Sequence, residues 1–299
     1  MEKINIIKKS YVWIVSAIGI ALVSLFLFVL NAHFSEEFTG GVNVTIVSNS
    51  SEKEIETTLK NYLDDQGYRS ATVHINNQGG EMQIKINASL DSDEKVAELS
   101  RDVQSFLYSQ KLISSTEDVI GQAIVGPSVG SYMKTTAVEA IIVGIILMVI
   151  YMLFAFSKIR KEIPAGVLAS SVLAVLLFSV LGTLGAYGVW MMFNSTIQVD
   201  TVFIVAILTV VAYGINDVIV IFDRIRENIM KSSKDKNIVL GKVIETSLWQ
   251  TMRRSIGTSL STLLVLVAMF IFGTGVLQQF AFTVGCGVII STFSSIFLG

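Results

Sequence analysis

Cysteine, proline, histidine and charge are all scarce in this chain of 299 residues. The one cysteine, Cys286, lies inside an apolar run, which excludes a disulfide framework. The two histidines, His33 and His74, have no neighbouring Cys or His. No metal-ligand spacing is therefore present, and each reads as an ordinary polar surface residue. Lys+Arg and Asp+Glu nearly balance at 22 and 24, without a basic tract, which excludes a nucleic-acid partner. No G-x-x-x-x-G-K-[ST] cradle occurs, so nucleotide hydrolysis is not indicated. No nucleophile–base or metal set is visible either, so an enzyme is the least favoured class and no cofactor is called for. Two prolines, 15% charged residues and a mean hydropathy of +0.64 together exclude an ordinary soluble domain.

What is present is apolar sequence in long blocks. Residues 10–35, 140–157, 163–199, 201–216 and 255–299 contain no Asp, Glu, Lys or Arg, and make up nearly half of the chain. Half of the charged side chains fall in residues 31–136. This distribution predicts a polytopic α-helical membrane protein with one inserted water-facing domain.

A membrane helix needs about 20 apolar residues, and Tyr11 to Leu30 supplies them after a start containing Lys3, Lys8 and Lys9. The run exceeds a signal-peptide core and no A-x-A site follows, so it reads as a retained first span, residues 1–30. A second span runs from about Val138 to Phe156, and a third starts at Pro164, a residue suited to a first helical turn. The 37 residues of 163–199 would make a helix of about 55 Å, so the third span is expected to end near Gly182, Gly185 or Gly188. The fourth covers Thr201 to Phe222. The last 45 residues divide at Gly273-Thr274-Gly275 into spans five and six. Lys and Arg gather in the N-terminal tail, at Lys158, Arg160 and Lys161, and in loop 223–254. The positive-inside rule then places both termini in the cytoplasm, residues 31–136 outside, and residues 137–299 as five further spans in the lipid bilayer. Trp13, Trp190 and Trp249 fall where an aromatic belt is expected.

Residues 31–136 have a globular pattern. Val42, Val44 and Ile46 alternate as a strand. Ser51-x-x-Glu54 has the form of a capping box before a helix with Ile55, Leu59, Tyr62 and Leu63 on one face. Val73 and Ile75, then Met82, Ile84 and Ile86, predict a hairpin through Asn76-Asn77-Gln78-Gly79-Gly80. Val96, Leu99, Val103, Phe106 and Leu107 mark a second helix, and Val119 to Val125 a last strand. The order βαββαβ is the ferredoxin-like split βαβ of an α+β domain. With no catalytic constellation in it, a protein- or peptide-contacting role is expected.

The segment Tyr213-Gly214-Ile215-Asn216-Asp217 to Asp223-Arg224-Ile225-Arg226-Glu227-Asn228 is the most informative in the chain. Asp217 is set deep in the fourth span, where an ionised acid costs at least about 2.5 kcal/mol. Such a group is able to take up and release a proton during a conformational cycle; its structural alternative is pairing near the helix end. Asn216 is placed to hydrogen-bond the acid, and Tyr213 lies one turn back. A cation is available at the start of the fifth span, in Arg253-Arg254-Ser255-Ile256-Gly257-Thr258-Ser259-Leu260-Ser261-Thr262. An arginine there stabilises the ionised acid when near and permits its protonation when apart. Thr258, Ser259 and Thr262 offer hydroxyls for a water or proton path, or else simply mediate helix packing. Before this span, Leu240, Val243, Ile244, Leu248 and Met252 form an apolar stripe, as in an interfacial helix or in ordinary packing under the bundle. Two glycine motifs flank the outer domain: Phe38-Thr39-Gly40-Gly41, and Val125-Gly126-Pro127-Ser128-Val129-Gly130. Both read as hinge or tight-junction positions.

With FTGG at 38–41, VGPSVG at 125–130, INDVIVIFDRIREN at 215–228, RSIGTSLSTLLVL from Arg254 and SSIF near the end, the chain resembles the SecF family. These are the smaller membrane subunits of the SecD–SecF complex, which assists bacterial protein export. The resemblance implies membership of the resistance-nodulation-division superfamily and a bacterial cytoplasmic (inner) membrane location. It also implies a proton-driven role in a heterodimer with a SecD-like subunit, beside the SecYEG channel and the translocating polypeptide. Asp217 occupies the family's intramembrane acid position and Arg254 its fifth-span arginine. Three departures stand out: Ser35-Glu36-Glu37 where G-I-D is usual, Ala155-Phe156 where an Arg-Phe pair is common, and Ser170-Ser171 where His-Asp is frequent. Two other readings are a related proton-driven exporter of lipids or small molecules and a structural partner without its own ion coupling. The first predicts a large apolar pocket in the outer region.

Overall fold

The computed structural model describes residues 10–47, 51–78, 81–88, 90–113, 119–157, 163–194, 196–232 and 239–298. The tail lysines, Lys158, Arg160 and Lys161, the Gly79-Gly80 turn and part of loop 223–254 lie outside them. The described residues divide into two compact units. One comprises residues 1–31, 140–189 and 202–299, and the other residues 32–139 and 190–201.

The first unit is helical. Among the described residues six helices, each with most of its length in this unit, are long and apolar enough to cross a membrane: α1 (Ser10–Asn31), α5 (Pro127–Ala155), α6 (Ala165–Phe193), α7 (Thr201–Ser232), α8 (Leu240–Phe272) and α9 (Val276–Phe297). Half of the apolar stretch in each of α6, α7 and α9 is buried, against 11% in α1, 6% in α5 and 17% in α8. The first three therefore form the interior, and the others present apolar faces outward. The glycines of α6 do not end it, contrary to the sequence expectation. Residues 182, 185 and 188 are the contact points at which other helices approach. A Cβ on Gly182 would lie 2.8 Å from Ile290, one on Gly185 2.4 Å from Ser24, and one on Gly188 2.7 Å from the Phe28 Cα. In a bilayer, where water does not drive helix association, such backbone approach is a main source of packing energy. The stripe beginning at Leu240 is likewise no separate interfacial element. It continues into the fifth span as one 33-residue helix, with Ser247, Leu248 and Thr251 buried.

The second unit contains α2 (Glu36–Thr39), β1 (Gly41–Val47), α3 (Glu52–Asp65), β2 (Thr72–Gln78), β3 (Glu81–Asn87), α4 (Asp93–Ser109) and β4 (Val119–Val125). The sheet order is β2-β3-β1-β4 with every pairing antiparallel, the arrangement of a ferredoxin-like split βαβ. Alternation places Val42, Val44, Ile46, Met82, Ile84 and Ile86 on one face, fully buried against Leu59, Leu63, Leu99 and Val103 of the helices. Burying an aliphatic side chain of this size contributes about 1.5–3 kcal/mol, so this layer holds the unit together. Ser51 precedes α3 but makes no side-chain capping bond, so the capping box is not formed. Ser92 does cap α4, its hydroxyl accepting from Lys95 N.

Candidate functional site

Asp217 sits in α7 with 1% of its surface exposed. The Thr292 hydroxyl on α9 hydrogen-bonds its carboxyl, and its Oδ2 has no partner among the described residues. Thr292 Oγ1 is 2.6 Å from Ser259 Oγ on α8, and the Tyr213 hydroxyl donates to Ser259 Oγ over 3.1 Å. The result is a chain Tyr213–Ser259–Thr292–Asp217 that leaves α7, crosses α8 and α9, and returns to α7 one turn on. The two aliphatic hydroxyls in it each have a backbone carbonyl within reach as an alternative acceptor: Ser255 O at 2.8 Å for Ser259 and Val288 O at 2.8 Å for Thr292. A hydroxyl has one hydrogen and two lone pairs. With its hydrogen on Val288 O, Thr292 accepts from a protonated Asp217; turned around, it donates to the carboxylate. The same side chain thus serves both charge states.

Small residues make room for this arrangement. A Cβ on Gly214 would lie 2.8 Å from Ser291 Oγ, and one on Gly287 2.1 Å from Val210, so α7 and α9 touch one turn before the acid. Ser179 on α6 is 3.0 Å from Ser294, both fully buried. Ser291 Oγ, also buried, has no partner among the described residues. The hydroxyls of α9 were not singled out in the sequence. The signal available there was Ser291, Thr292, Ser294 and Ser295 clustered inside an apolar run.

The other expected members of the path lie elsewhere. Asn216 and Arg254 are exposed, and Arg254 makes no ion pair with Asp217 among the described residues. Thr258 donates to the carbonyls of Arg254 and Ser255, and Thr262 to that of Thr258. Helical geometry explains the division: Ser255 and Ser259, four apart, face inward together, whereas residues 254 and 258 are turned about 100° away. Ser170 and Ser171 line a cavity of about 420 Å³ with Ile14, Ala17, Phe178 and Leu181, not the hydroxyl chain at Asp217.

The Asp223–Asn228 motif forms a clasp between α7 and α8. Arg226 pairs with Asp223 at 2.7 Å, Lys231 with Glu227 at 2.6 Å, and Arg224 with Glu227. Gln250 Oε1 accepts from Arg224 Nε at 2.6 Å and from Asn228 Nδ2 at 2.9 Å, and Asn228 also donates to Ser247. Gln250 and Ser247 were not anticipated, being ordinary polar residues on an amphipathic stretch.

The two glycine motifs meet each other. A Cβ on Gly130 would lie 3.0 Å from the Phe38 carbonyl and 3.1 Å from Gly40 N, and Gly40, with φ of +84°, packs against Val125 O and Pro127. Gly41 faces Ile86 O so closely that a Cβ would lie 2.0 Å from it. The loop before α7 joins this region through a parallel bridge between Phe34 and Val199. Ser35 N donates to Val199 O at 2.9 Å, and Val199 N to His33 O at 2.7 Å. The Glu37 carboxylate accepts from both the N–H and the hydroxyl of Thr201, at 2.7 and 2.6 Å.

Comparison with known proteins places these features in a family. Residues 108–299 match the family model described as Protein export membrane protein SecD/SecF, C-terminal. Protein translocase subunit SecF of Desulfurispirillum indicum is 31% identical over 296 residues, covering 97% of this chain and 87% of that one. Protein translocase subunit SecF of Sebaldella termitidis is 32% identical, with 99% and 89% covered. Protein translocase subunit SecDF of Thermus thermophilus is 31% identical over 96% of this chain but 36% of its own length. The crystal structure of SecDF from that organism, described as a translocon-associated membrane protein, superposes with a TM-score of 0.73 at 26% identity, over 97% of this chain and 37% of that one. The chain belongs to the SecF family of protein translocase subunits.

Proposed function

We propose that this chain is a proton-coupled subunit of a protein-export machine, in which Asp217 binds and releases the coupling proton. The observation that carries the reading is a fully buried carboxyl, with one oxygen unpartnered, at the end of a chain of hydroxyls that crosses three helices. Thr292 meets both charge states of the acid without rearranging the backbone, so protonation is able to alternate within a packed bundle. One charge crossing 100 mV releases about 2.3 kcal/mol. That energy biases a domain motion of modest cost, and many such steps are needed to move a polypeptide.

The partners follow from the relatives. A SecD-like subunit is the expected heterodimer partner, since the Thermus thermophilus relative carries both names on one chain and this chain matches 36% of it. The SecYEG channel and the translocating polypeptide complete the machine. In this reading both termini are cytoplasmic and residues 31–136 lie outside, in agreement with the lysine and arginine distribution. Arg254, exposed on α8, then faces either a partner helix or the membrane surface and acts on Asp217 only in another state of the cycle. The test is protein export into membrane vesicles holding this chain and its partner, with and without a proton gradient. Asp217→Asn is expected to abolish the stimulation by the gradient while leaving the export seen without a gradient in place. Unchanged stimulation rules the reading out.

A further inference from the structure

Ser35-Glu36-Glu37 follows the first span, and the structure buries its middle residue. Glu36 is 3% exposed, with Ser35 at 0% and Asn87 at 8% beside it. Their proximity follows from three contacts. Glu36 Cβ would be 3.1 Å from a Cβ placed on Gly41, Asn87 is the cross-strand partner of Gly41, and Asn87 Nδ2 donates to Phe34 O at 2.9 Å. Asn43 Nδ2 donates to Glu36 Oε1 at 2.8 Å. Three oxygens here have no partner among the described residues: Glu36 Oε2, Asn87 Oδ1 and Ser35 Oγ. Among the described residues no lysine or arginine pairs with Glu36. Lys85, opposite Asn43 in the ladder, makes no ion pair with Glu36 among the described residues, and Lys134 sits over the Phe34 ring at 4.8 Å.

A buried carboxylate needs a compensating positive charge, and buried acceptor oxygens need something to accept. Water supplies donors but no charge. A hard cation supplies both requirements, since oxygen ligands of carboxylate, amide and hydroxyl type are what such ions take. One carboxylate is neutralised by one positive charge, whereas a divalent ion would leave a net charge in the same buried surroundings. The geometry points to a monovalent cation site, of Na⁺ size and chemistry, formed by Glu36, Asn87 and Ser35 within the second unit. Its role is to fasten residues 32–41 to the end of the β1–β3 ladder at the Gly41–Asn87 pair.

The experiment is hydrogen exchange on the purified full chain in detergent, in NaCl against choline chloride at equal ionic strength and fixed pH. At a Na⁺ concentration about ten times the dissociation constant, amides of residues 32–47 are expected to exchange about tenfold more slowly, because binding multiplies the closed population by about that factor. Glu36→Gln keeps the acceptor for Asn43 and removes the charge; it and Glu36→Ile are expected to lose the Na⁺ effect. Three results overturn the assignment: no Na⁺ effect in the native chain, an equal effect in Glu36→Gln, or protection by Ca²⁺ but not by Na⁺. Protection that follows pH and ignores Na⁺ also overturns it, since the carboxyl then holds a proton instead.

Discussion

Replacing Thr292 with valine tests whether the hydroxyl chain, and not merely burial, makes Asp217 functional. Valine keeps the β-branched shape and χ1 preference of threonine in a helix, so the contact between α7 and α9 is preserved and only the oxygen is lost. That oxygen lies 2.6 Å from Ser259 and bonds the Asp217 carboxyl. Without it, both carboxyl oxygens of Asp217 lack a partner, because Oδ2 already has none. Hydrogen bonds between membrane helices contribute about 0.6 kcal/mol on average and at most about 1.7, while an orphaned buried acceptor costs about 1–3 kcal/mol. A destabilisation near 1–2 kcal/mol is therefore expected, with the bundle still folded. A loss of about 1.4 kcal/mol from the ionised carboxyl makes that state about tenfold rarer, so gradient-stimulated export should fall by about tenfold, while export without a gradient is kept. Thr292→Val added to Asp217→Asn should have no further effect, because residues that act as one unit are not additive. Full stimulation in Thr292→Val, or additive losses in the double variant, refutes the hydroxyl chain.

Two further outcomes follow from packing and titration. Gly188→Ala should destabilise the helical unit by about 1–3 kcal/mol, since the new methyl meets Phe28 and Leu27 backbone atoms that no rotamer change removes; Gly166→Ala, with nothing within 4 Å, should be tolerated, and thermal unfolding of both in detergent decides the point. The His74 imidazole is held below its ordinary 6.5 by burial, with further lowering from His33 and Lys85. The unfolded chain therefore binds the proton more readily, so the contribution of His74 is complete above pH 6.5 and is lost as pH falls through 6.5 toward the folded value. Hydrogen exchange across β2 and β3 between pH 7.5 and 5.5 should show this loss, and His74→Asn should remove it; an equal slope in the variant contradicts the assignment.

Much of the architecture is legible in the sequence because it rests on periodicity. Val42-x-Val44-x-Ile46 and Met82-x-Ile84-x-Ile86 alternate with period two and are fully buried, and Val96, Leu99, Val103 and Leu107 recur at helical spacing and line the same core. The six apolar runs are equally direct, since crossing a bilayer demands length and composition. What sequence does not carry is which face of a uniformly apolar helix meets which neighbour. Gly182, Gly185 and Gly188 therefore read as breaks, although α6 continues through them and uses their missing side chains for contact. The candidate site divides in the same way. Asp217 is visible as an acid in an apolar run. Its partner Thr292 is 75 positions away in a segment with no charge to draw notice, and only the packing of α7 against α9 brings the two together. Arg254, which charge logic would pair with the acid, faces outward because its neighbour Ser255 takes the inward position.

The most direct test is whether Asp217 changes protonation under a gradient. Difference infrared spectroscopy on proteoliposomes holding the chain with its SecD-like partner reads the carboxyl stretch when the outer side is acidified. Proton coupling at Asp217 requires a carboxylic acid band that appears on acidification, shifts in Thr292→Val and is absent in Asp217→Asn. A spectrum with no such band, or one that is identical in Asp217→Asn, contradicts it.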